Sequence, residues 1–319
     1  MASKKKQQEQ AVRYLRYELT NSGTPGTETS HYIDLARDIS AINRRLYRQG
    51  RSYHVKRVSI VSSNTIAGYG GAPDSPKVNA GRVTFGVAPT SWTTANAWKR
   101  GFESWRSMQN NAMVNMSNIT PKYNDFKVHL TEDGRQATKL VPLDNGGNSL
   151  SLGEWVYCKF ESPDGTTSSD EFTAHILGGH TGSAGAYTSI GLVQSYADSR
   201  ATVVDNSPTV PSTSDDDPLV NLFDDGTNVD EIREDMRNDN DDAPYDVFNY
   251  PGEGTNHPKP LVVQQTTLGA DGRATVGGFV AMCGLIEIEA SSPVASDVYS
   301  VLVELAPGNY RGLAADVIA

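Results

Sequence analysis

Apolar positions in this chain recur mainly with a period of two. Val83, Phe85 and Val87 share one face of RVTFGV, and Phe126, Val128 and Leu130 share one face of FKVHL. In EWVYCKF, Val156, Cys158 and Phe160 alternate with Trp155, Tyr157 and Lys159. Toward the C-terminus, Ile286 and Ile288 alternate with Glu287 and Glu289, and Val301, Val303 and Leu305 line one face of VYSVLVEL. This is the pattern of half-buried strands. Asp133-Gly134, Asp164-Gly165 and Asp271-Gly272 each fall between two such runs, and Asn145-Gly146 adds a fourth turn signal. Asx-Gly pairs readily take the positive φ that tight hairpins demand, so they predict antiparallel neighbours. About thirteen such runs can be counted, with too few helices for βαβ alternation, and an all-β protein is expected.

Two stretches break the alternation. In YIDLARDISAINRRLYRQG, Leu35, Ile39, Ile42 and Leu46 recur at helical spacing and Gly50 offers a stop, which predicts a helix near 33–48. Arg37, Arg44, Arg45 and Arg48 fall mostly off that stripe. In TSWTTANAWKRGFESWRSM, Trp98, Phe102, Trp105 and Met108 form a second stripe, which predicts a helix near 94–109 capped by Thr93 or Thr94. A nucleic-acid platform would need aromatic and cationic side chains on one surface. Here Lys99 and Arg106 project away from the stripe, with Arg100 nearer its edge. The stripe is therefore expected to be a structural clamp that closes a barrel or buttresses a neighbour.

Charge adds a second layer. The 319 residues carry a net charge of −10, but residues 1–60 hold twelve Lys/Arg against five Asp/Glu. Residues 201–250 hold fourteen Asp/Glu against two Arg. The acidic part is expected in bulk solvent, where like charges are hydrated and screened. The basic part is better suited to an anionic surface such as nucleic acid or lipid head groups. Residues 204–260, rich in Pro, Ser and Asp, are expected to be an acidic surface loop or projection between strands, with a short helix around Val229, Ile232 and Met236. The start, MASKKKQQEQ, has no apolar stretch after its lysines and does not look secretory; no apolar run is long enough to span a membrane. Cys158 and Cys283 sit among apolar residues; two buried free thiols are expected, with one disulfide as the alternative.

Candidate chemistry is sparse. His175 and His180 in AHILGGHTGSAG are five apart with a helix-breaking Gly-Gly between them, and no third ligand lies nearby, so they read as strand-end and loop residues. The same glycine-rich run lacks the Lys and the helix of a phosphate loop. Ahead of Gly226, a calcium loop would place oxygen ligands at Asn221, Phe223 and Asp225, and the middle one fails; Asp239, Asp241 and Asp242 are a looser option. No catalytic, cofactor or metal site is expected. Lys4, Lys5 and Lys6 could meet nucleic acid or lipid head groups weakly, or simply form a solubilising tail.

Three stretches, "SHYIDLARDISAINRRLYRQGRSYHV", "TSWTTANAWKRGFESWRSM" and "VELAPGNYRG", resemble capsid proteins of small circular single-stranded-DNA viruses from marine samples. The resemblance implies a jelly-roll capsid protein that self-assembles, as trimers, into an icosahedral shell in the virion, after synthesis in the host cytoplasm. Its partners would be other copies of itself, minor capsid or vertex proteins, an internal membrane or genomic single-stranded DNA, and a host receptor. Two architectures are open: a double jelly roll, as in lipid-containing phages, and a single eight-stranded jelly roll with an inserted projection. The strand count and the short basic arm favour the double form. In that form residues 1–12 are a flexible basic segment, 13–203 the first barrel region with both helices, 204–260 the acidic projection, and 261–319 the strands completing a second barrel. A carbohydrate- or receptor-binding β-sandwich is the alternative function, and a cupin-type enzyme a third.

Overall fold

The computed structural model describes residues 10–62, 80–114, 122–161, 171–183, 186–201, 250–269 and 271–318. The chain opens with β1 (Tyr14–Thr20), β2 (Thr29–Asp34), α1 (Leu35–Asn43), β3 (Arg51–Ser62) and β4 (Arg82–Val87). There follow α2 (Trp92–Val114), α3 (Glu132–Gln136), β5 (Phe160–Glu161), β6 (Glu171–His175), β7 (Thr181–Ser183), β8 (Ala186–Gly191) and α4 (Leu192–Ala201). The C-terminal part holds β9 (Leu261–Thr267), β10 (Arg273–Val276), β11 (Phe279–Met282), β12 (Leu285–Ser291), β13 (Val298–Leu305), β14 (Pro307–Gly308), β15 (Gly312–Leu313) and β16 (Ala315–Val317). β-Sheets dominate, as expected, and the helices are few.

Two sheets form a sandwich. One runs β1-β13-β3-β10, with β11 and β16 also paired to β3; the other runs β2-β12-β4-β9. All these pairings are antiparallel. Alternation supplies the core: Leu15, Tyr17 and Leu19, then Val301, Val303 and Leu305, face Ile33, Val83, Phe85, Ile286 and Ile288, all buried. β3 is long enough to carry two partners on each edge, β13 then β16 on one and β10 then β11 on the other. Its alternation slips at Lys56-Arg57, so that Tyr53 and Val55 before the slip and Val58 and Ile60 after it all point inward. That slip is the irregularity in its pairing with β13. Opposite it the edge breaks between β10 and β11 at Gly277-Gly278. A Cβ on Gly278 would lie 2.7 Å from the Val55 carbonyl oxygen, so glycine is needed for that close approach.

The C-terminal strands close the sandwich that the N-terminal strands open. β12 lies between β2 and β4, and β13 between β1 and β3. Residues 261–305 therefore do not build a second barrel of their own; their apolar faces are spent against strands from 14–87. Between β4 and β9 the described residues leave the sandwich to form an inserted lobe with its own four-stranded sheet, β5-β6-β8-β7, and its own apolar cluster. That cluster also takes in Met282, Cys283, Leu285 and Ile318, so the lobe is seated on one end of the sandwich.

Several local expectations change. α1 stops at Asn43, well before Gly50: Arg44 takes a left-handed conformation, and the Asn43 side chain is engaged with Val12 instead. α2 begins at Trp92 and runs to Val114, because Ser91 Oγ, not a threonine, accepts the Thr94 N–H at 3.2 Å. Asp133-Gly134 is inside α3 and not a hairpin turn, since Thr131 Oγ1 caps Gly134 N–H at 3.1 Å. Asp271-Gly272 is a tight turn, but it carries the chain from one sheet to the other. FKVHL forms no strand of a ladder: it makes one isolated bridge, His129 to His175, with backbone bonds to Cys158 and Leu177 on either side of it, and Lys127 and His129 are buried along with its apolar residues. Val156, expected inside, is 56% exposed. The Asp144–Asn148 turn forms as expected, with Asp144 Oδ1 accepting from Gly146 and Asn148 N–H at 2.8 Å each.

Candidate functional site: the clamp and junction between sandwich and lobe

α2 carries the aromatic stripe into the lobe. Trp98 and Trp105 are buried, and Phe102 and Met108 pack against the same cluster. At its centre is Phe126, with the rings of Trp98, Trp105, Phe102 and Phe160 at 5.6, 5.8, 5.9 and 6.1 Å. Trp98 and Phe102 stack, with centroids 5.5 Å apart. The Trp98 ring also reaches the sandwich side: a Cβ on Gly50 would lie 2.7 Å from it. Gly50 is thus the seat of Trp98 rather than a helix stop. On the same side of α2, Gly101 admits Leu192 of α4 and the edge of Phe126, which would be 2.9 and 3.3 Å from a Cβ there. Arg100 and Arg106 are exposed, and the Arg100 guanidinium lies 5.6 Å from the Tyr196 ring centroid.

Asp34 forms a second tie. It is fully buried at the boundary of β2 and α1, where Oδ1 caps Arg37 N–H at 3.1 Å. Its Oδ2 accepts from Gln49 Nε2 at 3.1 Å and from Trp155 Nε1 and Tyr157 Oη at 3.0 Å each. Two of those donors come from the lobe. Gln49 adds a third link, pairing with the Val128 backbone at 2.6 Å through its oxygen and 3.0 Å through its nitrogen. Burial raises the Asp34 pKa, and the positive charge and backbone N–H of Arg37 work against that rise. Beside it, Asp38 accepts from Tyr17 Oη at 2.6 Å and Arg37 Nε at 2.8 Å; burial lifts its pKa to about 7. On the lobe side, His129 stacks on Tyr157 at 3.9 Å and lies 3.1 Å from Lys139 Nζ. Burial and then the Lys139 charge push the His129 pKa down to about 2. Burial likewise lowers Lys139 to about 8.

The seam also encloses a cleft of about 460 Å³. Its walls include Tyr32, Glu287 and Glu289 from the sandwich and Glu132, Asp133 and His175 from the lobe. Tyr32 Oη donates to Glu287 at 2.8 Å, and burial holds the Glu287 pKa up. Burial opposes the charge on Glu132, but hydrogen bonds from Arg135 and Gln136 outweigh it and lower its pKa. His175 is fully buried. Its Nε2 lies 2.9 Å from the Gly179 carbonyl, so that nitrogen carries the proton and Nδ1 accepts from Ser189 Oγ at 2.7 Å. Glu132 approaches the same Nδ1 at 3.9 Å. Serine and carboxylate thus compete for one nitrogen, and the other is occupied by a carbonyl. A nucleophile relay needs them on opposite sides of the ring.

Of the residues singled out in the sequence, Trp98, Phe102, Trp105 and Met108 come together in the lobe. Lys4, Lys5 and Lys6 lie outside the described residues, as do Asn221, Phe223, Asp225, Asp239, Asp241 and Asp242 and the helix expected around Val229, Ile232 and Met236. The acidic segment is described from Tyr250 onward, and there it is no free excursion. Tyr250 is buried against Trp92 and Tyr196, and Gly254 N–H donates to Gln194 Oε1 at 2.8 Å. Cys158 and Cys283 are buried free thiols, and burial pushes Cys158 up to about 12. Among the described residues no group of three or more His, Cys, Asp or Glu could hold a metal, and no helix is long and apolar enough to cross a membrane. The Asp34 junction has no short sequence signature, since its members are spread from Asp34 to Tyr157; an unusually polar Gln49 next to a predicted stop was the nearest signal.

The class defined here is an antiparallel β-sandwich carrying an inserted lobe. Compared with models of protein families, with curated proteins and with solved structures, the chain matches none.

Proposed function

We propose that the chain is a shell-forming structural protein, a single jelly roll with a large insertion. Strand order carries this reading. If β10 and β11 count as one broken strand, the eight sandwich strands taken along the chain lie in the order 1-8-3-6 in one sheet and 2-7-4-5 in the other. That is the arrangement produced by winding two Greek keys into a double-sheet roll. It favours the single-barrel architecture over the double one, with the described residues between β4 and β9 as the insertion. The resemblance of the stretches around α1, α2 and β13 to capsid proteins of single-stranded-DNA viruses points to the same role.

Exposed apolar side chains suit self-association. Leu261 and Val262 are 53% and 55% exposed on β9, the edge of its sheet, and Val317 on β16 is 65% exposed. Contacts between copies would cover both the apolar groups and the unpaired strand edge. Purified full-length protein is expected to form trimers or shells, read by light scattering on a sizing column and by negative-stain microscopy. A monomer at every concentration and salt tried would overturn the proposal.

A second reading, a carbohydrate- or receptor-binding sandwich, is favoured by the cleft with its tyrosine and carboxylates, groups able to bond hydroxyls. Specific capture on a glycan array by a protein that never assembles would establish it in place of the first.

A further inference from the structure

FKVHL and EWVYCKF invert the placement that their side chains favour in water. Lys127 is only 5% exposed. Tyr123, four residues earlier, and Val156 are among the most exposed large apolar side chains of the described residues. The two segments meet where Cys158 N–H donates to the Lys127 carbonyl at 2.9 Å. A pocket of about 360 Å³ opens there, with Trp105 and Tyr157 in its walls together with Tyr123, Val156 and Lys127 itself. The Lys127 ammonium is poorly satisfied. Among the described residues its one hydrogen bond goes to the Tyr123 carbonyl at a long 3.4 Å, and the Trp155 ring centroid lies 4.7 Å away. An ammonium can donate three. Burial lowers the Lys127 pKa; Asp125, Asp34 and more weakly Glu154 oppose that through space, with no hydrogen bond to any of them. Asp125 is already engaged by Arg48 at 2.8 Å, and Lys159, which also lines the pocket, pairs with Glu171. On another wall Asn124 Nδ2 donates to Gln109 Oε1 at 2.9 Å, which leaves the Gln109 amide N–H as a donor.

We propose that this pocket binds a small aromatic carboxylate, whose carboxyl pairs with Lys127 and whose ring lies among Trp105, Tyr123, Val156 and Tyr157. A buried ammonium without a paired anion is costly, and an incoming carboxylate offsets that cost with a charge-assisted hydrogen bond. The volume is at the small end for ligand pockets, enough for one ring and a short acid arm. A bare inorganic anion would leave the apolar lip uncovered, and a neutral ring would leave the charge unanswered. Neither shell formation nor glycan capture at the seam uses this pocket, so the site stands apart from both.

Isothermal titration of the full-length protein with phenylacetate tests this, with phenylacetamide and inorganic phosphate as comparisons. Phenylacetate should bind at millimolar concentrations or below. It should bind at least about tenfold more tightly than its amide, as expected for a hydrogen bond to a charged group. Lys127→Met should bring the acid to the level of the amide. An apolar chain of similar length suits the buried position, so this variant should fold. If it does not, Glu154→Gln at an exposed position answers instead. Removing a carboxylate that repels the ligand should tighten phenylacetate binding by about twofold and leave phenylacetamide unchanged. The proposal is overturned if phenylacetate does not bind, or if the amide or phosphate binds as well as the acid. It is equally overturned if folded Lys127→Met keeps the wild-type affinity, or if Glu154→Gln weakens binding of the acid.

Discussion

The sandwich and the lobe inserted in it bury aromatic and aliphatic surface by different means. In the sandwich, apolar residues lie every second position on long strands, and each is covered by the opposite sheet; Val301 and Val303 need nothing beyond that alternation. In the lobe, one helix, short strands and irregular segments converge on a single ring, Phe126. Between the two regions stands a polar tie at Asp34, whose oxygen collects donors from both. The sandwich spreads its stability along ladders, whereas the lobe concentrates it in a few aromatic contacts and one carboxylate. A single substitution should therefore undo the lobe more easily than the sandwich.

Phe126→Ala should have the largest effect. Truncating a fully buried ring at the hub of the lobe costs about 4 kcal/mol. Hydrogen exchange should show amides of α2, β6 and α4 losing protection while β3 and β13 keep theirs. Equal loss in both regions would mean that they fold as one unit and would erase the contrast. Trp98→Ala and Trp105→Ala act on the same cluster and should disturb folding or assembly.

Asp34→Ala comes next. It leaves the Trp155, Tyr157 and Gln49 donors buried without their acceptor and removes the cap of α1, at about 3 kcal/mol together. Because the donors belong to both regions, chemical denaturation should resolve two transitions in the variant where the wild type shows one. A single shifted transition would argue that the apolar seat of Trp98 on Gly50 suffices to couple them.

The smallest effect concerns pH, and its sign differs between the regions. His129 in the lobe has a folded pKa of about 2, below the ordinary value. Its contribution is therefore fully present above about pH 6.5 and is lost as pH falls from there toward 2, about 1.4 kcal/mol between pH 7.5 and 5.5. Asp38 in the sandwich has the opposite sign: burial lifts its folded pKa to about 7, so the folded state holds a proton the unfolded state has lost between about pH 4 and 7. Mild acid should thus loosen the lobe and tighten the sandwich. Melting temperatures of wild type and His129→Gln, compared at the two pH values, isolate the histidine part. The wild type should lose its advantage over the variant as pH falls, and a constant difference would refute the assignment.

Legibility followed the same divide. LIEIEAS and VYSVLVEL are strands with the faces their alternation assigns, because each lies between neighbours that bury one side and leave most of the other wet or lightly covered; RVTFGV keeps its inward face too, although Thr84 and Gly86 on the other side are also buried. FKVHL fails that rule: the lobe packs over both its sides, burying Lys127 and His129 as well. In α4, LVQSYADSRA, the buried Leu192, Val193, Tyr196 and Ala197 do recur at helical spacing, but the stripe is short; Leu192 packs at Gly101 of α2 and Val193 at Gly252. Asp133-Gly134 reads as a turn locally, and Thr131 turns it into a helix start.

By itself, then, the amino-acid order determined the β-rich class, the inward faces of the sandwich strands and the aromatic stripe of α2, since period and side-chain size are local properties. Tertiary structure decided which strands are neighbours. Tyr14 pairs opposite Glu304 only because the chain ends return to one sheet, and no local preference encodes a partner that distant. It also decided that Asp34 would be a junction. That depends on polar groups finding partners in space, where the cost of burying them unpaired selects the arrangement.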